Sequence, residues 1–454
     1  MRKLTLSSLI FLYLYSAIIE ITYGVLVLLL PFSKSIRFFL RGRDRALLIS
    51  DMLKEDVLNR YDARIVFFCS SAGEYEQAIP IIRRMEALGC WVGVFLFSES
   101  GMRFIRARGE RGFLMKAPLD SIWRWRITLQ TINPDLALVV RHELWPGFLG
   151  ACAEFCPTVL VDGSNSRSIE KSKMARYLKK QLLRLLDCYY VVEKSDCDFY
   201  ADLLCCPRDR IVTVGDSKYD RVVERITDSR KEIEHIRFFL DRQFGSLRRL
   251  IVGSAWKQDV IVALDAWKNK CAAPCSDSCW QLVLVPHEPD QEMIQWIIEQ
   301  CHERSISKVR FSEIQDQDQN QIDKSEIAPV LIVDKVGMLA ELYASGELAF
   351  VGGALHYQVH NVLEPAAHGL ALAFGSKYQN SKEATLMVNS GLAHIVHSGA
   401  DFEKWWESRS DSPCKDQDVL AQVKKLCGAS DRIIDDFVIR YDGVLPSNLG
   451  KLNE

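Results

Sequence analysis

"RIVFFCSSAGEYEQAIPIIRRM", residues 64 to 85, decides how the rest of the chain is read. RIVFFC is a short apolar run, the signature of a strand buried on both faces, and after a polar turn the sequence continues as an amphipathic helix. A buried strand that feeds a helix opens a parallel α/β sheet. Glu74 stands beside Gly73 at the turn. In an open α/β domain this is the crevice outside the carboxyl ends of the strands, where ligands bind. Glu74 is therefore a candidate general base. A first-turn acid favoured by the helix dipole is the other reading of the same residue, and the stretch alone leaves both open.

Outward from this unit the pattern repeats. Strands are expected at 64–69, 91–98, 135–140, 158–163, 188–192 and 210–215, with helical spacers between them. A second series follows at 249–255, 280–286, 328–334, 348–353 and 371–376. The expected fold class is thus α/β, with two Rossmann-like domains facing a cleft. We place a membrane anchor and basic juxtamembrane segment at 1–45, a first domain at 46–225, a charged helical linker at 226–248 and a second domain at 249–454. The length of 454 residues agrees with more than one core.

Charge and cysteine usage narrow the class. With 57 basic and 59 acidic residues the formal charge is −2, so no global field argues for nucleic acid as a partner. The 14 cysteines are scattered through strands and helices, which fits reduced thiols better than a disulfide framework. Cys271, Cys275 and Cys279 lack the spacing of a zinc site, and Asp316 with Asp318, in the polar insertion 312–326, reads as a solvated loop. No metal is expected.

The amino terminus bears on location. Residues 4 to 32, "LTLSSLIFLYLYSAIIEITYGVLVLLLPF", carry a single charge, Glu20, and exceed the ~20 apolar residues needed to cross a bilayer. Lys34, Arg37, Arg41, Arg43 and Arg45 follow, so the positive-inside rule puts the body of the protein in the cytoplasm. Glu20 is costly at mid-span and calls for a partner, or for a helix lying in the interface. "RFIRARGER" (103–111) and "WRWR" (123–126) place arginines beside aromatic residues. They read either as a membrane-facing surface or as an ordinary solvated face, with Trp123 and Trp125 half-buried.

The glycine fingerprints of dinucleotide and P-loop sites are absent. Instead the strand LAFVGG runs through "ALHYQVHNVLEPAAHG" into a helix beginning near Asn361. Helix amino termini attract phosphate, Glu364 is placed to accept from ribose hydroxyls, and Gly352–Gly353 permits close backbone approach to a ligand. Capping of the helix is the plainer reading of Asn361 and Glu364.

The segments "AGE", "HELWP", "SNSRSIEKS", "VTVGDSKYD", "VGS", "VPHEPD" and "VGGALHYQVHNVLEPAAHG", in this order behind an apolar amino terminus, resemble the 3-deoxy-D-manno-octulosonic acid (Kdo) transferase family of lipopolysaccharide synthesis. The resemblance implies a GT-B glycosyltransferase of the bacterial inner membrane, with its catalytic domains on the cytoplasmic side. It would transfer Kdo from CMP-Kdo to a lipid A precursor, lipid IVA, with inversion, and without metal or other cofactor. By match of motifs, Glu74 would be the base. Pro286, His287, Val336, Gly337, Met338, Asn361, Val362, Leu363 and Glu364 would line the CMP pocket. Glu143, Arg167 and Lys218 would lie on the acceptor or donor-sugar side.

The sequence departs from the family pattern close to these residues. Phe68 and Cys69 replace His-Ala, Arg141 replaces an acid, His287 replaces Arg, and Gln358 with Val359 replaces Gly-Gly. Two alternatives stand beside the Kdo reading: another membrane-associated GT-B enzyme using a nucleotide-diphosphate sugar, and a degenerate, non-enzymatic family member.

Overall fold

Strand β1 (Arg64–Cys69) supplies two cores at once. Val66 and Phe68 point to one side of the sheet, while Ile65, Phe67 and Cys69 point to the other, as expected of a central parallel strand. The computed structural model describes residues 6–41, 43, 58, 60–107, 112–165, 173–272, 280–316, 330–410 and 416–443. They fall into a first unit, Met1–Arg221 with Cys427–Glu454, and a second, Val222–Leu426. Cys271, Cys275, Cys279, Asp318 and Arg167 lie outside what can be described at side-chain level.

In the first unit β1 is joined by β2 (Trp91–Leu96), β3 (Phe113–Lys116), β4 (Leu136–Val140), β5 (Thr158–Gly163), β6 (Cys188–Val191) and β7 (Ile211–Thr213). The sheet is wholly parallel, in the order β3-β2-β1-β4-β5-β6-β7. The order reverses between β1 and β4, which makes the ends of those two strands the topological switch point. The helices are α1 (Leu6–Leu28), α2 (Lys34–Leu40), α3 (Ala72–Ala87), α4 (Glu99–Ala107), α5 (Ile122–Ile132), α6 (Pro146–Phe155), α7 (Lys173–Leu183) and α8 (Lys194–Leu204). The boundary between the units falls within α9 (Ser217–Asp228).

The second unit contains α10 (Arg230–Phe244), then β8 (Arg248–Ala255), α11 (Lys257–Ala272), β9 (Trp280–Pro286), α12 (Gln291–Glu303), β10 (Lys308–Arg310) and α13 (Phe311–Asp316). It continues with β11 (Val330–Ile332), α14 (Leu339–Tyr343), β12 (Leu348–Val351), α15 (Leu363–Ala367) and β13 (Ala371–Gly375). It ends with α16 (Lys382–Asn389), β14 (Ala393–Val396), α17 (Gly399–Ser410) and α18 (Gln417–Leu426). Its parallel sheet runs β10-β11-β9-β8-β12-β13-β14, with the reversal between β8 and β12. Leu250, Val252, Leu282, Leu284 and Phe350 form the core of one face.

Two elements bear on the expected domains and anchor. The first is α19 (Ala429–Arg440), which belongs to the first unit although the sequence placed it in the second domain. The cause is its apolar stripe: Ile433, Ile434 and Phe437 join Ile79, Ile82 and Tyr190 in one core. Its amino terminus lacks a local side-chain cap, and Asp220 on α9 supplies one, accepting from the amides of Gly428 (2.5 Å) and Ser430 (2.7 Å). The second is α1, the one described helix long and apolar enough to cross a membrane, which is fastened along its side to α5 and α6. Leu12 is 1% exposed within the core, and Glu20 forms a two-pronged ion pair with Arg124, both contacts at 2.8 Å. Of the WRWR segment, Trp125 is fully buried, Trp123 is 38% exposed, and both arginines are paired.

Candidate active site

In the first unit the candidate side chains gather where β1, β4, β5 and β7 end. Ser71 starts α3 with an extended backbone, and its amide donates to Glu74 Oε2 at 3.0 Å, one half of a capping box. The Ser71 hydroxyl also donates to Oε2, and that of Ser70 reaches it at 3.4 Å. The capping reading of Glu74 is thus realised in the structure, with these bonds falling on one oxygen. A second carboxylate, Glu143, follows β4. Its Oε2 accepts from Trp145 Nε1 at 2.7 Å, burial raises it above the usual carboxylate range, and the nearby charge of Glu74 pushes the same way. Ser70, within hydrogen-bond reach of Glu74 alone, also lies close enough to Glu143 to oppose in part the rise of its carboxyl. Two half-buried carboxylates therefore stand close to one another at the switch point.

Beside them lies a buried charge cluster. Asp162, at the end of β5, is fully buried in a left-handed conformation (φ 53°) and accepts from the Ser217 amide at 3.0 Å. Asp216 pairs with Arg141 at 2.8 Å and with Lys218 at 3.3 Å. Burial first, and then the charge of Asp216, push the Asp162 carboxyl up to about 7. Burial also pulls Lys218 below the usual lysine value. Sequence reading found Glu74, Glu143 and Lys218 and noted Arg141 as a departure, but missed Ser70, Asp162 and Asp216. The available signal for Asp162 was an acid closing an otherwise apolar strand, TVLVDG.

The second unit presents its own surface at the ends of β8, β9, β11 and β12. Asp259, 1% exposed, accepts from the amides of Trp256 (2.8 Å) and Gly353 (2.9 Å), tying the turn after β8 to the turn after β12. Burial raises its carboxyl to about 6. Gly352 is required by the protein itself, since a Cβ there would sit 2.4 Å from the Ser254 carbonyl oxygen. Trp256, His287 and His360 form a stack of rings, with the two histidines 4.2 Å apart. Trp256 Nε1 donates to His360 Nε2 at 2.9 Å. An indole nitrogen can only donate, so His360 is neutral with its proton on Nδ1. Burial and the neighbouring His287, both of which lower its pKa, act in the same sense. Trp256 and His287 line a pocket of about 360 Å³ with Lys257, Glu288, Met293 and His356. Trp256 and Asp259 escaped the sequence reading, although both follow the quoted VGS.

The residues expected around a nucleotide are distributed along this rim. Pro286 is buried at the end of β9, and His287 is exposed beyond it. Val336 is 80% exposed, Gly337 is left-handed (φ 86°) and Met338 caps α14, all in the turn after β11. Asn361 Oδ1 accepts from the Leu363 amide at 3.0 Å, and Val362 and Leu363 are buried. Glu364 accepts from Arg225 at 3.1 Å, and Arg225 also lies 3.6 Å from Glu341. α15 has only five residues, so its dipole is short.

Residues 42–221 match the family model described as 3-deoxy-D-manno-octulosonic-acid transferase (kdotransferase). The chain is similar to a bifunctional glycosyltransferase/methyltransferase of Fusobacterium nucleatum, 21% identical over 88% of this chain and 60% of the relative. It is also similar to a 3-deoxy-D-manno-octulosonic acid transferase of Rickettsia conorii, 26% identical over 63% of this chain and 57% of that one. The chain thus spans only 60% and 57% of the length of these two relatives. Among solved structures, the UDP-GlcNAc 2-epimerase of Neisseria meningitidis aligns over 83% of this chain and 100% of its own. Its TM-score of 0.56 at 12% identity is a likeness of fold, the two-sheet GT-B type.

Proposed function

Because the chain belongs to the 3-deoxy-D-manno-octulosonic-acid transferase family, whose members are glycosyltransferases, we propose that it transfers Kdo from CMP-Kdo to lipid IVA, with inversion, at the cytoplasmic face of a bacterial inner membrane. The observation that carries this reading is the pairing of two half-buried carboxylates, Glu74 and Glu143, close enough for the charge of one to raise the other, at the switch point of the first sheet. An acceptor hydroxyl is a poor nucleophile until a carboxylate takes its proton, a step that typically contributes ~10²–10⁴-fold. In this reading Glu74 Oε1 takes the proton while Oε2 stays in the cap. The acceptor oxygen forms the new bond to the anomeric carbon, the bond to the CMP phosphate oxygen breaks, and the electron pair leaves with CMP.

Glu143, Lys218 and Arg167 are assigned to the acceptor or the donor sugar. The CMP moiety is assigned to Pro286, His287, Val336–Met338 and Asn361–Glu364, and the reading requires no metal. For Glu364 to hold the ribose it must share its carboxylate with Arg225.

The test is incubation of the purified chain with freshly generated CMP-Kdo and lipid IVA, with product mass as the readout, together with thermal unfolding in CMP and in UDP. We expect Kdo-bearing product and stabilisation by CMP alone. Stabilisation by UDP without Kdo product would move the donor to a nucleotide-diphosphate sugar. No product and no stabilisation by either would favour a non-enzymatic member.

A further inference from the structure

The docking of α1 points to a helix that lies on the membrane and does not cross it. We infer that α1 rests along the interface of one leaflet, held to the first unit by one face while the opposite face enters the acyl region. This deepens the membrane part of the proposed function and rests on that part alone.

The inner face is a row at four-residue spacing, Ser8, Leu12, Ser16 and Glu20. Ser8 Oγ donates to Gln181 at 3.3 Å, and Ser16 Oγ accepts from the Ile122 amide at 3.0 Å. Ser121, the residue that begins α5, makes no side-chain cap bond, so Ser16 of α1 provides the cap that α5 lacks locally. Tyr15 donates to Asp120 at 3.0 Å, next to this row. Leu12 comes within 3.0 Å of where Gly150 would carry a Cβ, so a glycine on α6 leaves the room α1 needs. A helix inserted across the bilayer would give up the cap of α5, vacate the Leu12 slot and leave Glu20 without Arg124 in hydrocarbon.

The outer face is displaced from the inner by two residues, about half a turn. Ile10, Leu14, Ile18, Ile21, Val25 and Leu28 form it and are between 51% and 75% exposed. The occupant is identified by what adjoins the stripe. Lys34, Arg37 and Arg41 follow it and are exposed, a complement to anionic headgroups. Trp123, whose ring lies 6.0 Å from that of Tyr13, extends the surface with an amphipathic side chain suited to the headgroup level. A second copy of the chain seated on the stripe would bring its own like charges with it.

The experiment uses the full chain with one epitope before Met1 and another after Glu454. In inside-out membrane vesicles, protease should remove both epitopes; protection of the first with loss of the second would mean that α1 spans and would overturn the inference. Purified protein should float with phosphatidylglycerol–phosphatidylethanolamine vesicles. The double substitution Leu14→Glu, Ile18→Glu should reduce the floating fraction about tenfold or more at an unchanged unfolding midpoint. Flotation as strong as the parent's, or absent from the parent, would refute a lipid-facing stripe, as would a fall in the midpoint. Lack of Kdo transfer by vesicle-bound protein would count against the sugar reading alone.

Discussion

The carboxylate of Glu74 is asked to cap a helix and to move a proton, and a single substitution separates the two. Glu74→Gln preserves the N3 residue of a capping box, since glutamine serves there as well, so the unfolding midpoint should scarcely move. It removes the site that would accept a proton, and turnover should fall by ~10²–10⁴. Near-normal turnover in Glu74→Gln would reduce the residue to its cap. Asp162 makes a different demand. Its folded-state value of about 7 lies above the ~4 of an unfolded carboxyl, so between these limits the folded chain binds the extra proton. Stability linked to this group is full below pH ~4 and is lost as pH rises through about 7. Asp162→Asn, which keeps an oxygen for the Ser217 amide, should flatten that dependence; urea titrations at pH 5 and 8 that fall equally for both proteins would rule the assignment out. Glu74 was legible because strand, turn and helix are adjacent in sequence. Asp162 and Asp216 were not, because what distinguishes them is burial against one another at a separation of 54 positions, and local pattern carries no record of that.

At the scale of elements, the expected strands all formed, and those overlooked share one property. β3, β10 and β14 are edge strands, partly exposed, with the polar residues Lys116, Lys308, Arg310 and His394 among them. A strand buried on both faces announces itself by a continuous apolar run, whereas an edge strand carries polar residues that also guard it against pairing with other chains. α19 was misplaced for a related reason. Its apolar stripe declares that something covers it, and the sequence does not say which unit does so. Phe437, fully buried and edge-on to Tyr190 at 4.9 Å, is the test of that packing. Phe437→Ala should cost ~3–5 kcal/mol in chemical denaturation, and a loss confined to a few tenths would mean that α19 is not part of the first unit's core.

For the molecule as a whole, two parallel sheets with separate cores were readable from the double series of strands; the first domain was expected to run to 225 with a linker at 226–248, whereas the compact units divide at Arg221 and residues 222–248 belong to the second. What pattern alone left hidden is that the first unit is discontinuous. Its chain leaves at Arg221 and returns at Cys427, with the second unit inserted between. On the ribosome this reverses the order in which the units can be completed. The first unit is made first, yet the stripe of α3 that receives α19 waits uncovered until the whole of the second has emerged. At ~5–20 residues per second that interval lasts on the order of 10–40 s, long enough for the inserted unit to finish folding before the unit that flanks it.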